Sequence, residues 1–88
     1  MKDFWNAMAD PTRREIISML QKQDMTAGEI SDKFAVSNAT ISHHLKILRE
    51  AELITSEKVK QTITYSLNMT VFQEFIASIA AKFGNGGE

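Results

Sequence analysis

With 88 residues, 43% apolar, 24% charged and no cysteine, the chain suits one small globular domain and excludes disorder, disulfide staples and thiolate metal sites. No apolar run reaches the roughly 18 residues of a membrane span and Met1–Phe4 lacks a signal-peptide core, so the expected location is the cytoplasm. A net charge of −1 argues against a binder held to nucleic acid by bulk charge, so any such contact needs local positive charge.

Phe4, Trp5 and Met8 fit one face of a short helix. Asp10-Pro11 marks a helix start, Asp10 as cap and Pro11 at the first helical position. Ile16, Ile17, Met19 and Leu20 carry that helix to about Gln21. Thr26-x-x-Glu29 forms a capping box with Met25 and Ile30 as its hydrophobic staple, and opens a short helix over about 26–34. Only Ala35 and Val36 then precede Ser37, a second cap residue with Val36 and Ile41 as staple. The helix it opens runs from about Asn38 to Ala51. It is anchored by Ile41, Leu45 and Leu48 at i, i+4, i+7, with Ile47 in support.

Period two then replaces period 3.6. Ile63, Tyr65 and Leu67 alternate with Thr62, Thr64 and Ser66 as a half-buried strand. Leu53 to Glu57 is its natural partner, across a turn at Lys58-Val59-Lys60 that no Gly, Asn or Pro marks. Thr70-x-x-Gln73 predicts another capping box, opening a helix with Phe72, Phe75, Ile76, Ile79 and Phe83 on one face. Residues 84–88 read as a disordered tail, which leaves 1–83 as the domain. The order is α-α-α-α-β-β-α, a mainly α fold with one β-hairpin.

Two helices joined by a tight turn, the second opening on small polar residues, make a helix-turn-helix candidate. Counted in steps of about 100°, the face opposite the anchored stripe presents Asn38, Ala39, Ser42, His43 and Lys46. Asn can pair with an adenine edge, Ser and His can bond bases or phosphates, and Ala can meet a thymine methyl. The first residues of the helix, with Ser37 and Thr40, suit phosphate contact. A hairpin carrying Lys58 and Lys60 at its tip suits phosphate or minor-groove contact alongside. Glu50, Glu52 and Glu57 interleave with these cations.

Three stretches carry a resemblance: Ala9-Asp10-Pro11-Thr12-Arg13-Arg14, Ser42-His43-His44-Leu45-Lys46-Ile47-Leu48-Arg49-Glu50-Ala51 and Tyr65-Ser66-Leu67. In order and spacing they resemble the ArsR/SmtB family of bacterial winged helix-turn-helix repressors, and within it the short, cysteine-free autorepressors. The resemblance implies a homodimer built from the first and last helices, with the helix over 37–51 in the major groove of a palindromic double-stranded DNA operator. Carried over by position, the base-facing residues are Asn38, Ala39, Ser42 and His43. Three departures stand out. Ala35 occupies a turn position where the family has Gly, Glu52 stands where Gly usually follows Ala51, and the Arg-rich, Gly-containing wing tip is reduced to Lys58 and Lys60. An alanine held at positive φ costs about 1–2 kcal/mol, so a different turn type is the alternative at Ala35.

Many relatives bind metal through thiolates on the third helix or Asp and His on the last. Those positions hold Thr26 and Gly28 here, and lie near Asn68 and Thr70, so no metal or other cofactor is expected. His43 and His44 point about 100° apart and cannot share a metal as an i, i+4 pair does. His43 is expected at DNA and His44 in packing. The stripe from Phe72 to Phe83 suits core, an apolar-ligand pocket or, with Phe4, Trp5 and Met8, a dimer interface; for so short a chain the last is simplest. Arg13 and Arg14 stay open between DNA-backbone contacts, a solvated face and an ion pair with Asp10. Catalysis finds no support, since no nucleophile–base pair, paired inward carboxylates or Gly-rich phosphate loop is legible. The rival reading is a winged-helix module for protein–protein interaction, which the near-neutral charge favours and the polar Asn38, Ser42 and His43 disfavour. The inducing signal stays open between a small molecule, a sequestering protein and simple autoregulation.

Overall fold

The computed structural model describes residues 3–84, so residues 85–88 of the expected tail lie outside the described residues. The order is α1 (Phe4–Ala7), α2 (Pro11–Lys22), β1 (Met25–Thr26), α3 (Ala27–Ser31), α4 (Asn38–Glu50), β2 (Ile54–Val59), β3 (Thr62–Leu67) and α5 (Met69–Ile79), followed by a π-helical turn over Ala80–Gly84. The helices and the hairpin close around one core. Ile16, Ile17, Ile30, Ile41, Leu45, Leu48, Leu53 and Ile54 supply its largest fully buried side chains. This is the winged helix-turn-helix that the capping residues and periodicities predict, with five differences of detail.

The first is an unexpected strand. Met25 and Thr26 pair antiparallel with Tyr65 and Thr64, making a three-stranded sheet in the order β1-β3-β2. Thr26 is also the cap of α3: its Oγ1 accepts from Glu29 N at 3.1 Å while Glu29 Oε1 accepts from Thr26 N at 2.9 Å. One residue thus pairs with β3 and caps α3 with both its hydroxyl and its backbone N–H.

The second concerns α3, which ends at Ser31 rather than near Phe34. Lys33 N and Phe34 N donate to Ile30 O and Ser31 O, so the last turn tightens to i→i+3 bonding and leaves the helix early. Val36 is 49% exposed, so it does not form the expected staple with Ile41, which is buried.

Third, β2 continues past Glu57 to Val59, and the turn falls on Lys60–Gln61. The register runs unbroken from Ile54↔Leu67 to Val59↔Thr62. A two-residue connection needs left-handed backbone, and Lys60 supplies it at φ 59° despite its side chain.

Fourth, Asn68 caps the last helix, its Oδ1 accepting from Val71 N at 3.3 Å, so α5 begins at Met69 and not from a Thr70 capping box. Fifth, α5 ends at Ile79. A π turn follows, in which Phe83 is 70% exposed.

Neither glycine departure distorts the turn before α4. Among the described non-glycine residues only Glu52 and Lys60 have positive φ, so Ala35 avoids the strained region. The strain falls instead at Glu52, φ 64°, directly after the Ala51 cap of α4. Leu53 N donates to Leu48 O at 3.0 Å and Glu52 N to Arg49 O at 2.9 Å, the paired bonds of a Schellman ending, whose left-handed position glycine fills most easily. Glu52→Gly should therefore stabilise the domain by about 0.5–1 kcal/mol, an increase of about 2–8 °C in melting temperature. Thermal denaturation checks this, and an unchanged or lower midpoint would show that the Glu52 side chain outweighs its backbone strain.

Candidate nucleic-acid interface

The site is built on α4. Its buried stripe is Ile41, Leu45 and Leu48, flanked by half-buried His44 and Ile47. Asn38, Ala39, Thr40, Ser42, His43 and Lys46 are all exposed. The face carries short polar side chains and one cation, with no large apolar group, so a groove edge can approach the helix closely.

The N-terminus of α4 is tightly organised. Ser37 Oγ accepts from Thr40 N at 3.1 Å and lies 2.9 Å from Thr40 Oγ1. Their mutual bond uses one hydroxyl hydrogen and leaves the other available beside the open helix end, where backbone dipoles favour an anion. Across the turn, Ser31 Oγ donates to Asn38 Oδ1 at 2.6 Å. The periodicity of the sequence contains no signal for that bond, because it depends on how α3 and α4 cross.

The two histidines separate as adjacent helical residues must. His43 is exposed. His44 is half-buried, with its ring centroid 6.1 Å from that of His43. Its Nδ1 lies 3.1 Å from Nη1 of Arg13. A guanidinium only donates, so Nδ1 accepts and the ring N–H sits on Nε2.

Arg13 is the residue whose role sequence reasoning left open. It is 9% exposed, and its guanidinium donates through Nε to Ala7 O at 2.7 Å and through Nη2 to Asn6 O at 3.3 Å. Arg14 Nη1 donates to Met8 O at 2.9 Å. Both arginines thus close the C-terminal end of α1, where Asn6 O also accepts from Ala9 N and cations are favoured. Beside them, Asp10 Oδ1 accepts from Thr12 N at 2.7 Å and Arg13 N at 3.2 Å as the cap of α2. Burial pushes the Asp10 carboxyl up, but the amides of Arg13 and Thr12 and the nearby Arg13 charge outweigh it and hold it below the ordinary value.

On the hairpin, Lys58 and Lys60 are exposed, Lys58 within β2 and Lys60 at the turn. Away from α4, Phe4, Trp5 and Phe75 form an edge-to-face cluster with centroids 5.4 to 6.2 Å apart, which seats α1 on α5. Phe75 is buried there, and Phe4, Met8, Phe72 and Ile79 are half-buried. Trp5 at 44% and Ile76 at 47% stay exposed, with Phe83 beyond them. Among the described residues, no three His, Asp or Glu gather as a metal site, and no helix is long and apolar enough to cross a membrane.

Residues 10–56 match the family described as bacterial regulatory protein, arsR family. The chain belongs to the arsR family. It is 49% identical over 76 residues to the transcriptional repressor SdpR of Bacillus subtilis, covering 86% of this chain and 84% of that protein. It is 34% identical over 67 residues to an SmtB transcriptional repressor homologue of Synechocystis, covering 76% of this chain and 51% of that one. HlyU of Vibrio cholerae superposes with a TM-score of 0.75 at 29% identity, over 93% of this chain and 89% of its own. Another ArsR family regulator superposes at 0.82 and 24% identity, over 89% and 86%, which speaks for the fold alone. The chain is accordingly a winged-helix, DNA-binding transcriptional regulator of repressor type and not an enzyme.

Arg13→Met should leave Ala7 O and His44 Nδ1 without their donor, Asn6 O keeping the bond from Ala9 N, and cost about 2–4 kcal/mol. Because Trp5 is the only tryptophan and sits on α1, its emission should shift to the red in the variant as α1 loosens. Arg13→Lys should recover little of the loss, since an ammonium cannot span the fork. Unchanged Trp5 emission in Arg13→Met would mean that α1 is held by its aromatic contacts alone.

Proposed function

We propose that this chain is a homodimeric repressor that reads a palindromic operator, each copy placing α4 in one of two successive major grooves about 34 Å apart. The observation that carries this reading is the α4 face: Asn38, Ala39, Ser42 and His43 exposed together on a helix whose opposite side is locked in the core. These four are the base-facing residues. Ser37, Thr40 and Lys46 approach the backbone, and Lys58 and Lys60 extend that contact from the hairpin. The protein acts where the DNA is, in the bacterial cytoplasm. The control region of its own gene is the first place to seek the operator.

The pairing surface is the α1–α5 side. Trp5, Ile76 and Phe83 are exposed there next to half-buried Phe4, Met8, Phe72 and Ile79. An apolar band of this kind on a small domain is best covered by a second copy.

An operator titration near physiological salt tests the first part. Specific DNA should bind at least 10³-fold tighter than scrambled DNA, and the affinity should fall steeply with salt. Ser42→Ala and His43→Ala should each lower the specificity ratio by about 5- to 100-fold. Lys58→Ala and Lys60→Ala should weaken all DNAs alike and reduce the salt slope by about one apiece. Equal affinity for specific and scrambled DNA would sink the reading, and silence of all four substitutions would sink the residue assignment.

Sedimentation tests the second part. The wild type should run as a dimer, and Ile76→Glu, at an exposed position, should run as a folded monomer with much weaker operator binding. A dimeric Ile76→Glu protein would place the interface elsewhere.

A further inference from the structure

α3 meets α4 at its first residue, and the chemistry of that meeting bears on what α4 can read. Ser31 is the last residue of α3 and Asn38 the first of α4. The 2.6 Å between Ser31 Oγ and Asn38 Oδ1 is the length of an O–H···O bond and shorter than N–H···O contacts run. The carbonyl side of the carboxamide therefore faces α3. Ser31 is half-buried whereas Asn38 is exposed, so the hydroxyl is the better fixed of the two. Both residues line one cleft between the helices, with Ala27, Gly28, Ile41, Ser42 and Leu45, and Asn38 itself is exposed.

We propose that Ser31 is a specificity-positioning residue, holding the Asn38 carboxamide with its NH₂ group outward so that Asn38 donates to an acceptor on DNA. This rests on the operator reading above. An unconstrained asparagine reads adenine by using both ends of its amide, accepting from N6 and donating to N7. With one Oδ1 lone pair taken by Ser31 and that oxygen turned toward α3, the NH₂ group is the end presented outward. An outward donor suits a guanine N7 or O6, a thymine O4 or a phosphate oxygen, and it disfavours the two-way adenine contact. The bond spans the turn between the two helices, so the amide is already set before DNA arrives, and the ordering cost on binding is reduced.

The test begins by selecting a binding site from random duplex DNA with the wild-type protein. Affinities for that site are then measured by fluorescence anisotropy for Ser31→Ala, Ser31→Thr, Asn38→Ala and the double variant Ser31→Ala/Asn38→Ala, with melting curves to show that each is folded. Ser31→Ala should bind about three- to ten-fold more weakly, Ser31→Thr should restore binding, and Ser31→Ala should add nothing in the Asn38→Ala background. Single 7-deazaguanine and methylphosphonate replacements locate the acceptor: whichever one abolishes the Ser31→Ala effect identifies a base or a phosphate. Additive losses in the double variant, or a Ser31→Thr protein as weak as Ser31→Ala, would overturn the proposal. So would an adenine whose N6 and N7 both matter at the position Asn38 governs. A selection that enriches no site overturns the operator reading and this proposal with it. An enriched site bound equally by wild type and Ser31→Ala overturns only the role of Ser31.

Discussion

A single guanidinium ties α1, α2 and α4 together. α1 has four residues and cannot persist as an isolated helix, and its last carbonyl, Ala7 O, has its donor in Arg13. Arg13, reaching from the first turn of α2, gives hydrogens to Asn6 O and Ala7 O and also to His44 on α4. A cation this deeply placed is tolerable because every direction it faces is electronegative: the negative end of a short helix and an imidazole lone pair. Through it, the segment bearing Trp5 is tied to the helix that presents the polar face. The aromatic contacts of Phe4 and Trp5 with Phe75 then set α1 on α5.

Most of the architecture was legible because it is written in local chemistry. Asp10, Thr26 and Ser37 cap the helices they announce, and the stripe Ile41, Leu45, Leu48 is buried as its spacing requires. What escaped the sequence depends on long-range geometry. β1 has two residues, too few to show any period, and exists because β3 has a free edge beside it. Asn68 and Thr70 are both plausible caps by residue type, and the choice between them is made where β3 delivers the chain to α5. The hairpin turn carries no glycine or asparagine to announce it, so its position follows from strand register alone.

The polar face of α4 was readable for the same reason as its buried face, since one periodicity defines both. The roles of Arg13 and Ser31 were not. Each bonds across a gap in sequence, Arg13 to a residue 31 positions away and Ser31 to one 7 positions away, and no residue-type pattern encodes such a crossing. Net charge was an equally poor guide. Lys46, Lys58 and Lys60 are exposed on α4 and the hairpin, and a sum over the whole chain hides where its cations stand.

The two-residue strand has a mechanical consequence. Because Thr26 pairs with β3 and also caps α3 with its hydroxyl and backbone N–H, the hairpin and α3 share a residue and no loop separates them. Contacts made by the hairpin and contacts made by α4 thus sit at the two ends of one bonded path, β3 to Thr26, along α3, and from Ser31 to Asn38.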